Sequence, residues 1–206
     1  MMRNQLYVIS ILLMLGCSQE LENPELVEPL PLPVETKCNP KDICCYDLSD
    51  EIGTFDLFSE WEFAGFQSST NDNETLDNLT CLARTAVFAL GGEDYDNVFK
   101  VTLQFSKEDS KLSECQNLDA FNLRTFSNKI TGCYFSSDSE NLSMVAPEKG
   151  IEFIPNHASS TFPVLQFEAN FLKAIESVES YEIKSNKLYL TSKGISEKLL
   201  FIAIED

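Results

Sequence analysis

Residues 164–204 read VLQFEANFLKAIESVESYEIKSNKLYLTSKGISEKLLFIAI and carry the strongest fold signal in the chain. The first part, up to residue 178, repeats apolar side chains at helical spacing and predicts one amphipathic helix. We expect its apolar stripe to consist of Leu165, Phe171, Leu172, Ile175 and Val178. The second part alternates as strands do, with Ser185 and Asn186 as the turn between two of them. The stretch therefore predicts a helix laid against a meander of antiparallel strands.

Shorter apolar segments, bounded by polar turns, precede this stretch and predict further strands. Trp61, Phe63 and Gly65 alternate, so we expect them on one face of the first strand. The remaining predicted strands span residues 98–105, 120–126, 130–136, 142–145 and 151–154. A mainly antiparallel sheet with one helix in the C-terminal half is an α+β pattern.

The charge balance limits the classes of partner. The chain has 206 residues, with 15 basic and 33 acidic side chains and a formal net charge of −18. Nucleic acids and anionic lipid surfaces are bound through basic patches, and the sequence has no cluster of Lys or Arg. The composition therefore excludes a nucleic-acid-binding role. It is typical of a self-repelling, soluble surface, and a docking face for a basic partner is the alternative.

Residues 1–16 predict a signal peptide, because Arg3 is followed by an apolar run, residues 6–15, that is too short to span a bilayer. The MLGC sequence that ends at Cys17 resembles the lipobox of bacterial lipoproteins, with Met14 where that family usually has Leu. The resemblance implies cleavage before Cys17, which would carry a diacylglycerol thioether and an amide-linked acyl chain. Two or more acyl chains anchor a protein stably. We expect membrane attachment through Cys17; the alternative is an ordinary secretory signal followed by an unrelated cysteine.

Three segments are expected after the signal peptide. Residues 17–37 hold the lipidated cysteine and an acidic, Pro-rich tether, which would reach roughly 60 Å as a polyproline II chain. Residues 38–55 form a Cys-rich segment. Residues 56–206 form the α+β domain.

The six cysteines other than Cys17 form an even set, which in an exported protein predicts three disulfides. Cys44 and Cys45 are adjacent and too close for an unstrained mutual bridge, so they should reach different partners. We expect them to attach the Cys-rich segment to the domain, with the pairing left open. A thiolate metal site is the alternative, but the spacing matches no common zinc pattern. The candidates are Cys38, Cys44, Cys45, Cys81, Cys115 and Cys133.

Catalytic signatures are lacking. His157 is the single histidine, it lies in the loop-like sequence PNHASS, and no nucleophile motif accompanies it. Residues 93–97, EDYDN, could gather oxygens around Ca²⁺ but lack EF-hand spacing, so an ordinary acidic turn is the preferred interpretation. A pair of carboxylates for glycoside hydrolysis remains a minor alternative. We predict no enzyme activity, no metal and no cofactor.

Residues 128–134, NKITGCY, resemble the N-x-x-x-G-x-Y core of META-domain (HslJ-like) bacterial proteins. The predicted helix is similar to that family's E-x-x-F-L, and the end of the chain is similar to its closing hairpin and final strand. The resemblance covers roughly residues 61–204. The motif positions are Asn128, Gly132, Tyr134, Thr161, Glu168, Phe171, Leu172 and Tyr181. Two family cysteines are missing, since Ser127 precedes Asn128 and Phe162-Pro163 follow Thr161, so no disulfide pattern carries over.

The resemblance implies a strongly curved, barrel-like antiparallel sheet closed by the helix, with structural and not catalytic motif residues. Gly132 suits a close backbone approach, Asn128 suits a turn bonded to local backbone, and Tyr134 suits a buried ring with a solvated hydroxyl. We expect a lipid-anchored protein of the bacterial cell envelope, at the outer membrane on its periplasmic or surface face. Its role would be binding, assembly or stress tolerance with an envelope protein as partner. The alternative is a lipocalin-like carrier of a small apolar ligand.

Overall fold

The computed structural model describes residues 43–49, 51–68, 73–77, 79, 81, 100–137, 140–154 and 162–203. These residues contain one main helix, α1 (Phe162–Glu176). Ten strands accompany it: β1 (Glu60–Ser68), β2 (Glu74–Leu76), β3 (Thr102–Asp109), β4 (Asp119–Arg124), β5 (Asn128–Ser136), β6 (Leu142–Val145), β7 (Ile151–Phe153), β8 (Val178–Lys184), β9 (Lys187–Ser192) and β10 (Glu197–Ala203). Short 3₁₀ segments lie at Ile43–Cys45, Ser113–Cys115 and Glu148–Gly150.

The strands form one antiparallel sheet in the order β6-β5-β4-β3-β1-β10-β9-β8, with β2 paired to β1 and β7 paired to β5. The two end strands meet again, because Asn141 and Ser180 form an isolated antiparallel bridge. Beside it, the Tyr181 amide donates to the Glu140 carbonyl at 2.9 Å. The sheet is therefore a nearly closed barrel, and the α+β prediction with a strongly curved sheet and one main helix is confirmed.

Helix α1 contributes its buried side chains to the interior of the barrel. The buried positions Val164, Glu168, Phe171 and Ile175 recur at helical spacing and lie on one face. The predicted stripe is wrong at Leu165, which is 52% exposed because it lies about a quarter turn from that face. The predicted stripe also extends two residues past the helix, which ends at Glu176, since Val178 is the first residue of β8.

Aromatic side chains from several elements fill the interior. The Phe63 ring lies 5.0 Å from Phe171, 5.5 Å from Phe201 and 5.8 Å from Phe167, measured between ring centroids. A second group forms around Phe105, whose ring is 4.8 Å from that of Tyr134. Such edge-on contacts are favourable in addition to the burial itself. The interior is thus occupied by the chain's own side chains.

A β-bulge in β1 changes which residues face inward. The register with β10 shifts between Phe63, opposite Phe201, and Gly65, opposite Leu200. As a result Phe66 faces inward with Phe63, at 5.3 Å between ring centroids, and Gly65 does not share their face as the sequence alternation predicted. A Cβ on Gly65 would lie 1.9 Å from the Thr75 carbonyl oxygen of β2, so β2 can pair here because residue 65 is glycine.

The outer side of β1, β10 and β9 is also buried, beneath the covering segment, which we define as residues 43–48. Ile43 of this segment packs with Ala64, Tyr189, Leu200 and Ile202, which all point out of the barrel. Leu200 and Ile202 have no solvent exposure. The Asn186 amide donates to the Tyr46 hydroxyl at 2.6 Å and fixes the segment laterally. The described part of the Cys-rich segment, residues 43–49 and 51–55, belongs to the same compact unit as the barrel.

Candidate functional site

Several predicted sites lie outside the described residues. These are the signal peptide, Cys17 and the tether, the acidic run at residues 93–97, His157 and Thr161. In the part of the chain that is described, no three His, Cys, Asp or Glu side chains are grouped as metal ligands would be. No helix among the described residues is long and apolar enough to cross a membrane.

Disulfide bonds, predicted from the even cysteine count, are present in the structure. Cys44 of the covering segment is bonded to Cys81, and Cys115 is bonded to Cys133 of β5. The first bond ties the Cys-rich segment to the domain. Cys38 lies outside the described residues and the side chain of Cys45 is not described, so the count of three bridges stays a prediction.

Glu168 joins α1 to the β4–β5 turn. Its carboxylate is buried and accepts hydrogen bonds from the Ser127 amide at 2.8 Å, the Thr125 hydroxyl at 2.8 Å and the Asn128 side-chain amide at 3.0 Å. A buried carboxylate needs such donors, because an unpaired charge is costly away from water. Asn128 was expected to bond to local backbone in a turn, but its side chain bonds to Glu168 of the helix. Glu168 is occupied by these donors, which favours a structural role over a chemical one.

Gly132 and Tyr134 lie on the inward face of β5. A Cβ on Gly132 would meet the Phe121 ring at 2.4 Å, so the ring lies directly over the glycine. The Tyr134 ring is buried, and its hydroxyl donates to the Ser106 carbonyl at 3.1 Å instead of reaching solvent as expected. Burial, helped by the nearby Asp119 carboxylate, raises the pKa of Tyr134 to about 12. Both residues shape the interior. Tyr181, on β8, is half-buried against the core.

Beneath the covering segment lies a polar cluster made of Lys187, Tyr189 and Glu74. The Lys187 ammonium forms an ion pair with Glu74 at 2.8 Å and also donates to the Leu48 carbonyl. The Tyr189 hydroxyl donates to the other Glu74 oxygen. Burial and this hydrogen bond raise the pKa of Tyr189 above its ordinary value. The polar groups of the cluster therefore pair with one another, and the bond from Lys187 to Leu48 holds the covering segment on the sheet.

An apolar cleft of about 340 Å³, called here the helix cleft, opens between α1 and the β1–β10 side of the barrel. Phe66, Phe167, Phe171 and Leu199 form its apolar wall, and Asn170, Lys173 and Glu197 stand at its rim. Small-molecule sites are commonly apolar clefts with a few polar groups. This cleft is the described feature that best suits a small apolar ligand.

A second cleft, of about 330 Å³, lies on the outer face of β3, β4 and β5 and is called here the sheet cleft. Its polar lining residues are Glu60, Thr102, Gln104, Asn122, Arg124, Lys129, Thr131 and Glu152. Strand register places them in two rows, since Gln104 pairs with Asn122 and Arg124 with Lys129. This site could not be recognised in the sequence, because alternating polar residues on a strand are typical of any solvated face. Only the strand register shows that these polar residues line one cleft.

The fold is similar to that of a protein of known structure, whereas the sequence comparisons find no match. No protein-family model matches the chain, and no curated protein matches it in sequence. The crystal structure of a DUF4847 family protein from Bacteroides vulgatus is similar at 15% identity and a TM-score of 0.44. The alignment covers 73% of this chain and 96% of that one. The META-domain resemblance stays a prediction.

Proposed function

We propose that the chain is a non-catalytic, lipid-anchored protein of the bacterial cell envelope whose META-like domain binds or helps to assemble other envelope components. The observation that carries this proposal is the filled interior. Phe63 alone contacts four other rings within the barrel, Phe66, Phe167, Phe171 and Phe201, and Phe105 contacts Tyr134 in the same core. A barrel whose interior is filled by its own side chains leaves no space for a ligand inside, so a partner would bind to its outer surface.

The sequence of the N-terminus supports the anchor. An apolar run followed by a lipobox-like MLGC directs Cys17 toward lipidation, and the acidic, Pro-rich residues 18–37 suit a spacer between membrane and domain. The anchor is not electrostatic, because the chain has a formal net charge of −18.

The lack of catalytic signatures among the described side chains supports a binding role. The one carboxylate of the motif, on Glu168, is buried and accepts three hydrogen bonds from the β4–β5 turn. A general acid or base needs access to a substrate proton, which such a position does not give. The envelope location and the binding role rest on independent features of the chain and can be tested separately.

Anchoring is tested with Cys17→Ser in the full-length chain, with Ser18→Ala as the matched control. We expect Cys17→Ser to remain unprocessed or to enter the soluble fraction, while Ser18→Ala stays with the membranes. Intact-mass spectrometry should show the added acyl mass only in the control and the unaltered protein. Unchanged membrane association and processing of Cys17→Ser would refute the lipoprotein assignment.

The assembly role is tested by chemical cross-linking in intact membranes, followed by purification of the lipidated protein. We expect a distinct envelope protein to be cross-linked at the outside of the barrel. Recovery of a small molecule with no protein partner would contradict the assembly role.

The helix cleft supports a second candidate function, the transport of a small apolar ligand. Its wall of phenylalanine rings is apolar, and its volume of about 340 Å³ lies in the range of small-molecule sites. Native mass spectrometry of the protein purified from membranes should then show an added mass. Detection of only the bare lipidated protein would exclude the carrier function.

A further inference from the structure

We propose that the sheet cleft binds one carboxylate-bearing sugar unit, of the uronic-acid class. The inference rests on the outer face of β3, β4, β5 and β7 and on Glu60 at the start of β1, and it holds whether or not Cys17 is lipidated. At about 330 Å³ the cleft lies at the lower end of the range for small-molecule sites, which suits a ligand of monosaccharide size.

Lys129 supplies the positive charge for the carboxylate. It is exposed at the cleft, and within the described residues its ammonium takes part in no ion pair. Arg124 lies directly opposite it in the β4–β5 register. Two neighbouring cations are notable in a chain with a formal net charge of −18, because 33 acidic side chains outnumber 15 basic ones.

The neighbouring row offers hydrogen-bonding groups for hydroxyls. Gln104 and Asn122 are paired across β3 and β4, and Thr131 lies opposite Asn122 on β5. The Thr131 hydroxyl donates to the side-chain Oδ1 of Asn122 at 3.2 Å, which holds that side-chain amide in position. Within the described residues, the Gln104 amide and the Asn122 amide nitrogen have no hydrogen-bond partner. Amides with free donors suit vicinal hydroxyl groups.

Two carboxylates define what the cleft rejects. Glu60 lies opposite Gln104 at one end, and Glu152 lies opposite Lys129 at the other. A carboxylate can accept a hydrogen bond from a sugar hydroxyl, but it repels a second negative charge on a ligand. A ligand with one carboxylate and several hydroxyls therefore fits better than phosphate or a polyanion.

The test is a titration of the ¹⁵N-labelled full chain with sodium glucuronate, followed by NMR. Glucose, sodium acetate and inorganic phosphate are titrated separately. We expect saturable shifts at the cleft amides with glucuronate, and binding at least about tenfold weaker with glucose or acetate, because each retains only part of the contacts. Equal or tighter binding of phosphate would show a plain anion site and overturn the proposal. So would the absence of saturable shifts with glucuronate.

Variants assign the contacts. Lys129→Gln should weaken glucuronate binding by about tenfold, while Lys193→Gln, in the β9–β10 turn, should leave it unchanged. Glu152→Gln should tighten binding, which no purely structural role predicts. An unchanged affinity in Lys129→Gln, with the spectrum outside the cleft preserved, would refute the assignment. Equal weakening by Lys193→Gln would refute it as well.

Discussion

Two regions on the outside of the same barrel have opposite character. On β9 and β10 the outward residues Tyr189, Leu200 and Ile202 are buried beneath the covering segment. On β4 and β5 the outward residues Asn122 and Thr131 are exposed and line the sheet cleft. The inward residues of all four strands belong to one core. The outer face of this sheet therefore forms a second core on one side of the barrel and an open surface on the other.

The largest expected effect comes from the covered region. Leu200→Ala should lower the free energy of unfolding by about 2–5 kcal/mol, because it removes a fully buried side chain between the sheet and the covering segment. Val145→Ala is the matched control, since Val145 points outward from β6 and is 44% exposed; its effect should stay within about 0.5 kcal/mol. Urea unfolding measures both. Equal effects of the two variants would abolish the distinction between the regions.

A slightly smaller effect is expected from the bond that ties down the covering segment. Replacing both Cys44 and Cys81 by Ser should cost about 2–4 kcal/mol, because the bond closes a loop with a sequence separation of 37. Leu200→Ala should then cost less in this background than in the unaltered chain, since the covering segment is no longer fixed. An unchanged cost of Leu200→Ala in the background without the bond would show that the segment stays in place by packing alone.

Alkaline pH should lower the stability contributed by the covered region and the interior before it affects the open face. The folded-state pKa of Tyr189 is raised above the ordinary value of 10.0, so the stability linked to its neutral form is complete below pH 10.0 and is lost as pH rises toward the folded-state value. Tyr134 behaves alike: its contribution is lost as pH rises from 10.0 through its folded-state pKa of about 12.

Tyr189→Phe separates these contributions. It should cost roughly 1 kcal/mol at neutral pH, through loss of the hydrogen bond to Glu74, and should make the decline in stability above pH 10.0 less steep. Tyr134→Phe is the matched variant inside the barrel. Urea unfolding at a series of pH values measures the slopes. A decline as steep in Tyr189→Phe as in the unaltered chain would mean that Tyr189 does not titrate in this range.

Much of the fold could be predicted from local pattern. The strand at residues 142–145 was predicted with its observed ends, and the turn at Ser185 and Asn186 separates β8 from β9 as expected. These features depend on spacing within a few residues, which the sequence displays directly.

Features that depend on contacts between distant segments could not be predicted. Alternation assumes one buried face, yet LLFIA in β10 is apolar on both faces because residues 43–48 return to cover it. The β1 bulge depends on the approach of β2 to Gly65. The sheet cleft depends on register across five strands. The run of apolar residues in β10 was the available signal of burial on both sides.

The smallest expected effect on stability comes from the open face, and it separates binding from structure there. Asn122 is exposed and its described side-chain bond joins it only to Thr131, so Asn122→Ala should change the free energy of unfolding by no more than about 0.5 kcal/mol. A residue kept for a ligand can be removed at little cost to the fold, whereas Leu200 cannot. The check is urea unfolding of Asn122→Ala beside Leu200→Ala. A decrease in the free energy of unfolding above about 1 kcal/mol in Asn122→Ala would show that the row of polar residues stabilises the barrel itself. The two outer regions would then differ in polarity, but both would serve to stabilise the fold.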